Sequence, residues 1–220
     1  MSKQQEMEKL KKEAFTALKC HETRPGLSAV WGEGSLNAEI ALVGEAPGEV
    51  EEREGRPFVG PSGALLDSIL ESVGLERALL WLTNIVKCRP AAESGGRTVN
   101  RSPRVGEVRA NMSFLKRELE IVRPCVIVCL GAVAAKALIG KDFKLSEQRG
   151  QLLDREGTPI LATFHPAYLL RVMSIDRPAY DGLEQAVQED LRLAWSVAGQ
   201  PRRPGGDYIQ TSFDNQPPFI

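Results

Sequence analysis

The chain has 220 residues, a formal net charge of −1, 42% apolar residues and 26% charged residues. A chain of this size and apolar content can bury one substantial core, so we expect a soluble, cytoplasmic protein with one main domain and irregular ends. No apolar run is long enough to span a membrane. Residues 1–19 are charged and lack an apolar core, so we expect no signal peptide.

Hydrophobic periodicity predicts strands and helices that alternate along the chain. The predicted strands cover 39–43, 80–86, 126–130 and 160–164, with a short edge strand at 151–154. The predicted helices cover 7–19, 64–73, 106–122, 132–138 and 183–198, and residues 88–101 are predicted to form a loop. Nearly all-apolar strands separated by helices indicate a parallel sheet covered on both faces. We therefore expect an α/β fold, a three-layer α/β/α sandwich with a central, mainly parallel four-stranded sheet.

Polar, glycine-rich segments follow two of these strands. Residues 44–48 (Gly-Glu-Ala-Pro-Gly) come directly after the apolar run 40–43, and residues 55–60 (Gly-Arg-Pro-Phe-Val-Gly) follow shortly. The segment 163–171 ends another apolar run and contains His165, one of only two histidines. Ligands of open α/β sheets bind at the carboxyl ends of strands, so we expect a ligand site between these segments.

Three blocks together resemble one known family. They are residues 44–66, residues 82–90 (Leu-Thr-Asn-Ile-Val-Lys-Cys-Arg-Pro) and the block around His165. In this order and spacing they resemble the uracil-DNA glycosylase superfamily, most closely family 4 of bacteria and archaea, over residues 31–195. The resemblance implies a monomeric, nucleoid-associated DNA repair enzyme. It would hydrolyse the N-glycosidic bond of uracil, deaminated cytosine, in DNA and leave an abasic site.

The resemblance also implies the residues that act on the bond. His165 would donate a hydrogen bond to uracil O2 as negative charge develops there, the alternative being a core or capping histidine. Glu45 and Glu51 are the candidate carboxylates for orienting the attacking water at C1′. Glu51 also matches the acidic position that guards the C5 edge of the base. The sequence leaves open which of the two carboxylates holds the water.

Three further residues are expected to bind the base. The Asn84 amide can accept from N3–H and donate to O4 of uracil, and cytosine offers the reverse pattern. Phe58, between Pro57 and Gly60, can stack on a flipped base. Ala46 is small enough to let the base approach. The alternatives are an Asx turn for Asn84 and core packing for Phe58.

A basic segment and a pair of leucines are expected to contact DNA. Residues 84–109 carry six Lys or Arg against two acids, which favours phosphate contact over a merely solvated loop. By the resemblance, the leucines after His165 would enter the minor groove, the alternative being a helical turn that packs inward. The predicted DNA contacts are Lys87, Arg89, Arg101, Arg104, Leu169, Leu170 and Arg171.

The cysteines depart from the family pattern. Family 4 enzymes usually hold a four-iron four-sulfur cluster with four cysteines, and only Cys20 and Cys88 match. Thr23 replaces a third ligand, and the fourth position falls near Ala110. Cys125 and Cys129 lie in one predicted strand about 13 Å apart, at roughly 3.3 Å per residue, too far for one cluster. We therefore expect no cofactor and no metal.

The remaining segments carry secondary expectations. Residues 1–30 are expected to form an N-terminal helix and tether, residues 31–198 the glycosylase-like domain, and residues 199–220 a disordered tail. The tail loosely resembles the acidic, Phe-terminated tails of single-strand-binding proteins, which suggests contacts with repair partners; a floppy terminus is the alternative. Residues 91–99 resemble an insertion that, in a related family, carries a covalent-trapping histidine, which is missing here. A non-catalytic DNA-binding module and broader specificity for deaminated bases remain alternatives.

Overall fold

The apolar strands of the sequence form a sheet that is buried on both faces. The computed structural model describes residues 1–18 and 29–199. Its strands are β1 (Glu33–Gly34), β2 (Ile40–Gly44), β3 (Trp81–Asn84), β4 (Ala91–Ser94), β5 (Arg97–Asn100), β6 (Val126–Leu130), β7 (Leu153–Arg155) and β8 (Thr158–Thr163). The main sheet has the order β1-β3-β2-β6-β8-β7. The four central strands run parallel, and β1 and β7 pair antiparallel at the two edges.

The α/β sandwich is therefore confirmed, with one correction to its size. The sheet has six strands rather than four, because an edge strand is added on each side of the predicted parallel core. All residues of β2 and β6 are buried, which explains their continuous apolar sequences.

Helices cover both faces of the sheet. They are α1 (Lys3–Leu18), α2 (Glu49–Glu54), α3 (Pro61–Ser72), α4 (Val105–Val122), α5 (Ala132–Leu138), α6 (Leu145–Gln148), α7 (Pro166–Met173) and α8 (Arg177–Ala198). On one face, Leu66 of α3 and Leu191 of α8 share a buried cluster with Leu42 of β2. On the other face, Leu115 of α4 and Ala134 of α5 pack with β2 and β6.

The segment predicted as a loop at 88–101 is largely a β-hairpin, so that prediction is wrong. Strands β4 and β5 pair antiparallel and are mostly exposed. Gly95 and Gly96 form the tip with φ of 57° and 74°, and two consecutive positive φ values are what a tight hairpin turn of type I′ requires. The hairpin has no apolar face to bury, so hydrophobic periodicity gives no signal for it.

The N-terminal helix is fixed to the domain by packing. Met7, Leu10 and Ala14 of α1 are buried in a cluster that includes Val122 of α4. Lys3 Nζ donates to the carbonyl of Val122 at 2.9 Å, which caps the last turn of α4. In the described ranges, no helix is long and apolar enough to cross a membrane. Cys20, His21, Thr23 and the predicted tail beyond Gly199 lie outside the described residues.

Candidate active site

A cavity of about 680 Å³ opens where β2, β3, β6 and β8 end. Its position follows from the topology, because parallel strands bring the polar residues after each strand to one edge of the sheet. The six residues predicted to bind or act on the base all line this cavity: Glu45, Ala46, Glu51, Phe58, Asn84 and His165.

Asn84 ends β3 with its side chain at the floor of the cavity. It is 3% exposed, and its Oδ1 has no hydrogen-bond partner among the described residues. A Cβ on Gly44 would lie 2.4 Å from this oxygen, so glycine is required beside it. The alternative of an Asx turn is not formed, since Oδ1 accepts no backbone N–H. A buried acceptor without a partner costs about 1–3 kcal/mol, which a donor on a bound ligand would offset.

Phe58 adjoins Asn84 across Gly44 and is held through its backbone. Its ring atom Cζ lies 2.6 Å from the place where a Gly44 Cβ would be. The residue has a φ of 53°, and Arg77 Nη1 donates to its carbonyl at 3.0 Å. A Cβ on Gly63 would lie 2.0 Å from the same carbonyl, so α3 approaches this loop closely only because residue 63 is glycine. The buried ring packs on the core and also lines the cavity.

His165 is the N-cap of α7, and its position defines its tautomer. Nδ1 accepts a hydrogen bond from the backbone N–H of Ala167 at 3.0 Å. Burial and the positive charge of Arg171 lower the pKa of His165 to about 4, and the charge of Glu51 opposes them. The imidazole is therefore neutral at pH 7 with its proton on Nε2. His165 combines both interpretations of the sequence, since it caps a helix and presents a donor in the cavity.

Glu45 directly follows β2 and is half-buried at the cavity wall. Burial raises the pKa of this carboxyl above its usual range, while a hydrogen bond from Ser102 and the charge of Arg171 oppose the rise. A carboxylate that is poorly solvated is a better proton acceptor than one in bulk water.

Glu51 lies at the start of α2 with both carboxylate oxygens engaged. Oε1 accepts from the backbone N–H of Gly60 at 2.8 Å, and Oε2 accepts from that of Gly48 at 3.1 Å. A Cβ on either glycine would lie within 3 Å of a Glu51 oxygen. Glu51 thus joins the two loops that carry Ala46 and Phe58, a connection that the sequence did not reveal.

Two of the predicted DNA contacts lie in the interior, and their assignment to the DNA surface is wrong. The Lys87 side chain is 0% exposed and donates to Glu118 Oε2 at 2.5 Å. Leu169 is also 0% exposed and packs in the core, as the alternative of an inward-facing helical turn describes. Neither side chain can reach a phosphate or a base step without unfolding.

Two more predicted contacts form ion pairs with carboxylates of the protein. Arg89 has a side chain only 5% exposed, which pairs with Glu49 and Glu52 at 3.2 Å each. Arg101 forms a two-pronged pair with Glu107, at 2.6 and 2.7 Å, although it also lines the cavity. These arginines connect the base of the hairpin to its neighbours rather than leave their charges free.

The other predicted contacts lie at the surface. Arg104 and Arg171 are exposed and form no ion pair among the described residues, and Leu170 is half-buried. Sequence reasoning missed Tyr168, which is 41% exposed at the cavity wall beside Arg171. Three-residue spacing on α7 puts Tyr168 and Arg171 on one face, the signal that could have identified this residue.

The described cysteines lie on separate parts of the fold: Cys88 follows β3, Cys125 directly precedes β6 and Cys129 lies in β6. Cys129 is fully buried in β6, where desolvation raises the pKa of its thiol far above the usual range. A cluster needs converging thiolates. No group of three or more His, Cys, Asp or Glu side chains in residues 1–18 and 29–199 is placed to hold a metal ion.

The fold and the cavity define an α/β protein with a site at the carboxyl ends of its parallel strands that contains a buried hydrogen-bond acceptor and aromatic side chains. Residues 31–189 match the Uracil DNA glycosylase superfamily, and the chain belongs to this superfamily. It is 40% identical over 183 residues to a Type-4 uracil-DNA glycosylase of Thermotoga maritima, covering 82% of this chain and 88% of the relative. It is 35% identical over 213 residues to a Type-4 uracil-DNA glycosylase of Sulfurisphaera tokodaii, covering 92% and 90%. A Type-5 uracil-DNA glycosylase of Pyrobaculum aerophilum is 32% identical over 161 residues, covering 63% and 68%.

Proposed function

We propose that this protein is a uracil-DNA glycosylase that hydrolyses the N-glycosidic bond of uracil in DNA and leaves an abasic site. The observation that carries the proposal is the buried Oδ1 of Asn84, which has no partner in residues 1–18 and 29–199, in one cavity with the neutral imidazole of His165. Uracil offers a donor at N3 and acceptors at O2 and O4, which complements this pair. The family membership and the names of the relatives support the same activity.

Base recognition follows from the chemistry of the amide. Asn84 Oδ1 accepts from uracil N3–H, and its amino group donates to O4. Cytosine would present an acceptor to the first and a donor to the second, leaving both groups buried without partners. Phe58 supplies the stacking surface for the base after it leaves the duplex.

Bond cleavage needs a stabilised leaving group and an oriented water. As the C1′–N1 bond breaks, negative charge develops on uracil, and His165 Nε2–H stabilises this charge by a hydrogen bond to O2 while the proton stays on Nε2. The water oxygen then bonds to C1′, and Glu45 takes the proton that the water loses. We assign the water to Glu45 rather than Glu51, because both oxygens of Glu51 already accept backbone hydrogen bonds.

We further propose that this chain works as a monomer without an iron–sulfur cluster. Two of the four thiolates that the family uses are replaced in the sequence, and Cys125 and Cys129 are separated along β6 and its approach. Iron analysis and the absorption spectrum of freshly purified protein test this, and stoichiometric iron with absorbance near 400 nm would show that other ligands complete a site.

The activity is tested with oligonucleotides that carry one uracil, single-stranded and paired with guanine. Wild type should yield alkali-labile abasic sites in both, and Asn84→Ala should yield them at a strongly reduced but still measurable single-turnover rate. Retention of DNA with no uracil release would identify a pure binding module, and a protein–DNA adduct on a denaturing gel would identify covalent trapping. Hypoxanthine in the same sequence reports whether the specificity is broader.

A further inference from the structure

A buried ion pair lies directly behind the base-reading residue. The side chains of Lys87 and Glu118 are both 0% exposed, and their charged groups are 2.5 Å apart. Lys87 Nζ also donates to Thr83 Oγ1 at 2.6 Å and lies 4.9 Å from the ring centroid of Trp31. Burial lowers the pKa of Lys87, and the charge and hydrogen bond of Glu118 oppose the fall.

The ion pair contacts one face of β3, and the side chain of Asn84 lies on the opposite face. Side chains alternate along a strand, so Trp81 and Thr83 share the face that α4 covers. Both donate to Glu118, Trp81 Nε1 at 3.2 Å and Thr83 Oγ1 at 3.0 Å. Asn84 is on the opposite face, beside Phe58.

Lys87 also donates a hydrogen bond to the backbone of Asn84, beyond the point where the pairing of β3 with β1 ends. On its outer edge β3 pairs with β1 only at Trp81 and Leu82, so strand pairing there ends two residues before Asn84. Lys87 Nζ donates to the Asn84 carbonyl at 3.0 Å. On the inner edge, Ile85 N–H donates to Gly44 O at 2.9 Å. The peptide group between Asn84 and Ile85 is therefore hydrogen-bonded at both ends, through its carbonyl and its N–H.

We propose that the Lys87–Glu118 pair is a positioning device that fixes the plane of the Asn84 amide, an inference that rests on the proposed role of Asn84. Two hydrogen bonds to a flat base require both amide atoms to lie in the base plane, and a rotation of the Asn84 peptide would misalign both. Replacement of a buried ion pair by neutral groups is often neutral for stability. The fold can therefore tolerate replacement of both charges, and base recognition in a folded double variant tests the proposal.

The test uses two variants and one matched control. Lys87→Met removes the charge and both hydrogen bonds to β3, and Lys87→Met with Glu118→Gln also avoids a buried unpaired carboxylate while Trp81 and Thr83 keep an acceptor. Arg117→Gln is the control, because Arg117 forms an exposed ion pair with Glu13 at 2.6 Å on the same helix as Glu118. Thermal unfolding of each variant separates folding from function.

Both Lys87 variants should lower single-turnover uracil excision about 10- to 100-fold, the effect of losing a hydrogen bond from a charged donor. They should weaken binding of free uracil, measured by calorimetry, by a similar factor and leave the affinity for undamaged DNA unchanged. In an Asn84→Ala background, Lys87→Met should change excision less than about twofold, since the two residues act through one group. Arg117→Gln should change none of these.

Three results would overturn the proposal. One is a full effect of Lys87→Met on top of Asn84→Ala, which would show that Lys87 acts elsewhere. Another is normal uracil binding in a folded double variant. The third is failure of both Lys87 variants to fold, which would make the pair a requirement of the fold alone. If wild type releases no uracil, the proposed activity is wrong, and the calorimetric binding of the free base still decides the positioning role.

Discussion

The ring of Phe58 stacks on the imidazole of His165, with the centroids 6.2 Å apart and the planes at 29°. Phe58 is expected to stack on the base, and His165 is expected to stabilise the charge that develops on the base. The two side chains therefore pack together although they lie more than a hundred residues apart in the sequence. The aromatic neighbour contributes to the burial that keeps His165 neutral. The neutral imidazole keeps one donor, Nε2–H, because its Nδ1 already accepts a hydrogen bond from the backbone N–H of Ala167.

Removal of the imidazole should reduce the chemical step and leave DNA binding intact. His165→Ala should lower the single-turnover rate of uracil excision by about 10²–10³-fold, as for loss of one oxyanion donor. Its dissociation constant for DNA with a non-hydrolysable uracil nucleotide should match that of wild type. Unchanged single-turnover excision would remove His165 from the mechanism and leave the carboxylate Glu45 as the main contributor.

The low pKa of His165 should make the protein less stable in mild acid. Its pKa is 6.5 when unfolded and about 4 when folded, so between these values the unfolded chain binds a proton that the native protein does not. The free energy of unfolding should therefore fall as pH decreases from 6.5 to 4, by at most about 3 kcal/mol from this group. Urea unfolding at pH 7 and pH 5 measures the change. His165→Gln should show a smaller loss, and an identical loss would assign it to other groups.

Asn84→Asp should change the base preference. A carboxylate still accepts a hydrogen bond but repels uracil O4, so uracil excision should fall about 10- to 100-fold for a buried mismatch. Cytosine excision should rise relative to uracil, because the second oxygen accepts from the cytosine amine. Asn84→Ala, which offers neither group, is the control, and both reactions should be strongly slowed in it. An unchanged uracil rate in Asn84→Asp would place Asn84 outside base recognition.

The central strands of the sheet and the residues that line the cavity could be predicted because both follow from local patterns in the sequence. Apolar runs at 40–43 and 126–130 define the parallel strands, and polar residues that follow such strands meet at one edge of the sheet. The resemblance to a known family then gives each of these residues an expected role. This reasoning needs no knowledge of what lies across from a given side chain.

The predictions that were wrong concern side chains whose surroundings come from distant segments. Lys87 is read as a surface cation because its partner Glu118 lies 31 residues away on another helix. Leu169 is read as exposed because a sequence does not fix the phase of a short helix. The hairpin after Pro90 escaped detection because neither of its strands has a buried face.

The exposed face of α7 makes Tyr168, rather than Leu169, the candidate for contact with the DNA stack. Tyr168→Ala should reduce uracil excision from duplex DNA, by up to about tenfold for lost stacking, with little effect on single strands. Tyr168→Phe should behave as wild type. Leu169→Ala should instead lower the free energy of unfolding by about 2–5 kcal/mol, through a core cavity. Equal loss on single and double strands in Tyr168→Ala would make Tyr168 part of the base pocket itself.

Of the two basic residues after β5, we expect Arg101 to stabilise the fold and Arg104 to bind DNA. Arg101 holds the pKa of Glu107 at about 2 through its hydrogen bonds, and that carboxylate also accepts from the backbone N–H of Arg104. Arg101→Gln should therefore lower the free energy of unfolding by about 1 kcal/mol, the upper range for a partly exposed pair.

Arg104 has an exposed side chain without an ion pair among the described residues, so Arg104→Gln should leave unfolding unchanged. Its DNA affinity should fall for every sequence, and the slope of log affinity against log salt should flatten by about one. Binding titrations at several salt concentrations, with unfolding curves for both variants, decide between these roles; a flattened slope in Arg101→Gln with no change in stability would reverse the assignment.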